Sequence, residues 1–69
     1  MAVSYKKLWI LLIEKGMKKT DLRIQSGIST GALAKLGRNE NVNTEVLAKI
    51  CKTLNCDISD IMEMIPNNE

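Results

Sequence analysis

The run Lys18-Lys19-Thr20-Asp21-Leu22-Arg23-Ile24-Gln25-Ser26-Gly27-Ile28-Ser29-Thr30-Gly31-Ala32-Leu33-Ala34-Lys35-Leu36 decides the fold. It predicts a helix over about 19–26, anchored by Met17 and Leu22, and a second over about 30–37 or 38. Between them Gly27 supplies the turn and Ile28 plugs it into the core. Ser29 carries a side-chain oxygen suited to cap the second helix. Leu33 and Leu36 turn that helix inward. Two short helices crossing steeply around a glycine-bearing turn make a helix-turn-helix, spanning about 19–38.

Helical patterns continue on both sides. Upstream, Tyr5, Leu8 and Leu12, with Trp9 and Ile13, follow the spacing of a buried stripe, so a helix is expected over about 5–15. Ser4 is its expected N-cap and Gly16 its exit. Downstream, Asn39-Glu40-Asn41 reads as a polar loop and Asn43 as the cap of a helix over about 44–54. Leu47, Ile50, Cys51 and Leu54 give that helix one apolar face. Asn55 suits its exit. Asp57, with Asp60 three residues on, resembles a capping box, predicting a last helix over about 58–64. No strand-like alternation and no repeat interrupt this series. The expectation is a single all-α domain of five short helices with its core over about 5–65. Pro66 closes it, leaving Pro66-Asn67-Asn68-Glu69 as a disordered tail.

Composition narrows the function. The chain has 69 residues, 45% of them hydrophobic and 26% charged, the balance of a folded globular domain. Its longest apolar run, Leu8 to Ile13, is far shorter than the roughly 20 residues a bilayer crossing takes. No signal peptide is read at the N-terminus, because Met1-Ala2-Val3-Ser4-Tyr5 leads directly into a helix. Cys51 and Cys56 are too few for a disulfide framework and read as small apolar residues, which fits a reducing cytoplasm. With no histidine in the chain, the usual general base and metal ligand are missing. No phosphate-cradling glycine motif or metal-ligand cluster appears, so neither an enzyme, a cofactor nor a metal is expected.

The net charge of +2 hides an uneven distribution. In residues 15–38, Lys15, Lys18, Lys19, Arg23, Lys35 and Arg38 stand against Asp21 alone. In residues 39–69 Lys49 and Lys52 face Glu40, Glu45, Asp57, Asp60, Glu63 and Glu69. Cationic charge therefore coincides with the helix-turn-helix, as a local polyanion site requires; a solvated charged face accounts for the charge alone equally well. Lys18 and Lys19 at a helix start oppose the helix dipole, a placement that suits phosphate binding more than stability. The alternative is that Thr20 is the cap and both lysines lie in the loop.

Gly16-Met17, Leu22, Gly27-Ile28-Ser29, Leu33-Ala34-Lys35-Leu36, the run Leu47-Ala48-Lys49-Ile50-Cys51 through Leu54, and Cys56-Asp57-Ile58-Ser59-Asp60-Ile61 together resemble the lambda-repressor/Cro-like (Xre) family of bacterial and phage regulators. The resemblance covers Leu8 to about Met62. It implies sequence-specific binding of double-stranded DNA and transcriptional regulation, as a repressor and homodimer on a palindromic operator. Carried over by position, Thr30, Gly31 and Lys35 would face base edges. Lys18, Lys19, Ser29, Arg38 and Asn39 would hold phosphates. Lysine can donate to guanine N7 and O6, and the threonine methyl can meet that of thymine.

Two departures from the family pattern stand out. Arg23 occupies a position where the crossing helices favour a small residue, so either it leans outward or the crossing angle differs. Leu12 and Gly37 stand where many relatives carry an arginine and a glutamate, and close apolar packing is the expected replacement. The first helix is also apolar without a break from Leu8 to Ile13, more than one stripe buries. Its surplus, led by Trp9 and Ile10, is expected to be covered by the last helix or by a second subunit. That surplus also supports an alternative, a protein-interaction module such as an antitoxin or accessory subunit.

Overall fold

Four α-helices make up most of the computed structural model, which describes residues 2–66. Of the tail expected over 66–69, Pro66 is described and residues 67–69 lie outside the described residues. The helices are α1 (Lys6–Glu14), α2 (Lys19–Ser26), α3 (Thr30–Gly37) and α4 (Thr44–Leu54). The last three have the bounds that periodicity and caps predict. Asn43 Oδ1 accepts the Val46 N–H at 2.9 Å at the start of α4. At its end Asn55 takes the left-handed conformation, with φ 52°, which asparagine tolerates better than most residues.

The fifth helix does not form. Asp57 and Asp60 do exchange cap contacts: Asp57 N–H donates to Asp60 Oδ2 at 2.9 Å and Ile58 N–H to Asp57 Oδ1 at 2.7 Å. What they start is one 3-10 turn, Ile58–Asp60. The chain then extends, and strand β2 (Glu63–Ile65) pairs antiparallel with strand β1 (Ala2–Ser4), Val3 opposite Met64. Pro66 disfavours the helical conformation at Ile65, and the N-terminal segment offers a strand partner that a helix could not use. The fold is thus four helices with a two-stranded ribbon joining the chain ends.

The ribbon also shifts the start of α1. Ser4 belongs to β1, Tyr5 takes the cap position, and the buried Ser4 hydroxyl still accepts the Lys6 N–H at 3.3 Å. Tyr5, Leu8 and Leu12 face the core as expected, together with Leu22, Ile28, Leu36, Leu47, Ile50, Leu54 and Ile61. Ile13 is 77% exposed and Trp9 only half-buried, because positions 5, 8 and 12 already define the inward direction. The surplus on α1 is not roofed by a last helix; Met64 and Ile65 are themselves exposed on β2. Leu12 is buried, whereas the space beside Gly37 is open, so no apolar pair replaces the charged one. Arg23 lies half-buried and leans outward only in part.

Cys51 and Cys56 are free and half-buried against the core. Burial pushes the Cys51 thiol up to about 11, helped by Cys56 beside it. Among the described residues no helix is long and apolar enough to cross a membrane.

Candidate nucleic-acid interface

The α2–α3 turn sets the direction of α3. Gly27 adopts φ 77°, a left-handed conformation that costs glycine nothing, and its N–H donates to the Arg23 carbonyl at 3.0 Å. Ile28 is buried one residue later. Ser29 Oγ then accepts the Ala32 N–H at 3.0 Å, starting α3 where the chain leaves the core.

Along α3 the two sides differ sharply. Leu36 is fully buried, with Ala32 and Leu33 packed beside it. Thr30, Gly31, Ala34 and Lys35 are exposed and fall on the opposite side, as a spacing of one and four residues dictates. All three residues assigned to base edges therefore share one solvent-facing strip. A Cβ placed on Gly31 would meet nothing closer than Ser29 Oγ at 3.8 Å, so no protein contact requires a glycine there.

The lysines at the start of α2 lie one helix length before the turn that leads into α3. Lys18 is the cap residue, Lys19 and Thr20 open the helix, and Thr20 does not cap it. The Lys18 N–H donates to Asp21 Oδ2 at 3.0 Å, and that carboxylate offsets part of the unfavourable lysine placement. Both lysines are exposed. Lys19 Nζ lies 4.4 Å from the centroid of the Trp9 ring, a cation–π contact between α2 and α1. Trp9 and Ile10 face different hollows. Trp9 lines a small one with Met17, Lys18 and Lys19, and Ile10 a groove of about 420 Å³ with Leu11, Leu54 and Cys56.

The strip ends at the α3 exit. Exposed Arg38 and Asn39 follow the helix, as expected, but both are engaged within the protein. Arg38 Nε donates to Glu40 Oε2. The hydrogen bond to the Arg38 guanidinium holds the Glu40 carboxyl below the usual carboxylate range. Asn39 sits at φ 55°, and its Oδ1 accepts the Tyr5 N–H at 3.1 Å. The Tyr5 hydroxyl donates to the Glu40 carbonyl at 2.8 Å. Tyr5 thus fastens this loop to the front of α1, while its own hydroxyl is pushed above its ordinary pKa by burial.

Sequence reasoning missed two of these participants. Glu40 was visible as a member of the polar loop and of the acidic stretch 39–69, and nothing local tied it to Arg38. A buried tyrosine usually finds a partner for its hydroxyl, but only the folded chain shows that the partner belongs to the loop after α3. A shallow cleft beside α3 further brings Ser29, Gly31 and Lys35 together with Val42, Asn43 and Val46 from the start of α4.

The arrangement is a narrow exposed helix face that carries Lys35, set on a buried apolar core, with further exposed cations at the α3 exit and at the start of α2. Comparison with known proteins agrees with it. Residues 7–67 match the model of the Cro/C1-type HTH DNA-binding domain. No curated protein matches the chain. Among solved structures, the crystal structure of transcriptional regulator VanUg (Form II) is 55% identical, with a TM-score of 0.92. The match covers 96% of this chain and 88% of that one.

Proposed function

We propose that this chain, which belongs to the Cro/C1-type helix-turn-helix family of DNA-binding domains, regulates transcription by laying α3 in the major groove of duplex DNA. The observation that carries the proposal is the exposed strip of Thr30, Gly31 and Lys35 on α3, with Arg38 and Asn39 exposed at its exit and Lys18 and Lys19 exposed at the start of α2. Thr30 and Lys35 read base edges, and Gly31 admits the DNA close to the helix backbone. Lys18, Lys19, Ser29, Arg38 and Asn39 hold phosphates, which fix register without reading sequence. No catalytic step is involved.

The finer assignments rest on the same frame. The chain acts as a single DNA-binding domain in the cytoplasm and represses by occupying its operator. Two copies bind a palindrome, with α3 of each entering half-sites about 34–36 Å apart. Exposed Ile10 and Ile13 on α1 support self-association, Ile10 lining the α1 groove and Trp9 having its own partner in Lys19. The same exposed pair favours a second reading, a module that also binds a protein partner. Co-purification of a stable partner without DNA affinity at low salt would select that reading.

Selection of bound duplexes from a random pool tests the proposal and returns the site. A palindromic consensus supports the dimer, and recovery of no enriched sequence overturns specific binding. On the selected duplex, Lys35→Ala relaxes preference at one or two positions, at about 1–3 kcal/mol of discrimination. Lys19→Gln weakens all sequences alike and lowers the salt slope by about 1. Unchanged preference after Lys35→Ala removes that lysine from base reading.

A further inference from the structure

We propose that Trp9 is a positioning residue for DNA binding: its ring holds Lys19 at the start of α2 in the orientation that meets a phosphate. The inference rests on the assignment of Lys19 to phosphate and adds the residue that aims it. Trp9 is the only tryptophan in the chain, and it packs partly buried against the edge of the core. It is half-buried on α1, and Lys19 Nζ stands 4.4 Å from its ring centroid. A lysine at the first position of a helix gains nothing from the helix dipole and has no fixed rotamer in water. A ring beneath its ammonium offsets that loss and orders the side chain before DNA arrives. The ring covers one side of the ammonium, and exposed Lys19 keeps its other sides open to solvent. Ordering a flexible cation in advance lowers the entropy lost on binding, and that gain applies equally to every DNA sequence.

Trp9 therefore affects affinity through Lys19 alone, and a double-mutant cycle reads that dependence. Binding of the selected duplex is measured for the native chain, Trp9→Leu, Lys19→Gln and the double variant, with helicity checked by circular dichroism. An exposed cation–π contact corresponds to roughly two- to fivefold in an equilibrium constant. Trp9→Leu is expected to weaken binding by about that factor in the native background and to have no effect in the Lys19→Gln background. Trp9→Tyr, which keeps an aromatic face, restores most of the affinity. An equal loss from Trp9→Leu in both backgrounds means Trp9 acts only through the fold, and no loss in either means it plays no part; both results overturn the inference while leaving Lys19 on phosphate. If Lys19→Gln itself leaves affinity and salt slope unchanged, the phosphate assignment fails, and the positioning role fails with it.

Discussion

Arg38 is the residue whose environment most modifies its expected role. An arginine beyond the recognition helix would ordinarily be free to grip the DNA backbone, but here Glu40 holds its guanidinium. Phosphate must compete with that carboxylate, and the carboxylate itself repels the DNA. Glu40→Gln is therefore expected to strengthen binding of all duplexes by a few-fold and to steepen the salt dependence by about one released counterion. Fluorescence anisotropy at several salt concentrations checks this; weaker binding would mean that the Arg38–Glu40 contact shapes the loop for DNA rather than competing with it. Asn39 is likewise engaged, its Oδ1 accepting from Tyr5 and its N–H donating to the Leu36 carbonyl, so the proposed phosphate contact would fall to its side-chain Nδ2.

At the scale of elements, α3 depends on a cap at one end and a buried leucine at the other. Ser29 has two assigned roles, capping α3 and touching phosphate, and two substitutions separate them. Ser29→Ala loses the bond to the Ala32 N–H and should cost about 1 kcal/mol of stability. Ser29→Asp keeps a good cap, so urea melts should stay within a few tenths of a kcal/mol of the native chain while DNA affinity falls from charge repulsion. Equal affinity for the Asp variant would remove Ser29 from the phosphate contacts. The bounds of α2, α3 and α4 were legible in the sequence because caps and apolar spacing agreed with one another there. Asp57 and Asp60 were legible as a cap, but a capping box reports only a first turn. The pairing of Ala2–Ser4 with Glu63–Ile65 decides how the chain continues past that turn, and a contact spanning the chain leaves no periodic trace. On α1 the opposite problem arose: six consecutive apolar residues fit several stripes, and only the folded core chooses Leu8 and Leu12 over Ile13. The exposed strip of α3 was legible; the loop clamp from Tyr5 and the Trp9–Lys19 contact, both between distant elements, were not.

The described molecule measures 38 × 24 × 17 Å along its principal axes. Its stability should have a marked alkaline limit. Tyr5 and Cys51 both have folded-state pKa values raised by burial, Cys51 to about 11, so the folded state retains their protons longer than the unfolded one. Their contribution is complete below the ordinary thiol and phenol values and is lost as pH rises through the folded ones. Melting temperature should therefore fall between about pH 9 and 11, and Cys51→Ala should flatten part of that fall; an unchanged slope would exclude the thiol as a source. The central claim is that α3 is the surface that meets the duplex. Amide chemical-shift mapping with the selected duplex tests it most directly. The largest changes should fall on residues 29–38 and 18–22, spreading into the α3 exit loop. Changes gathered instead on Ile10, Leu54 and the 3-10 turn, with α3 unmoved, would contradict it.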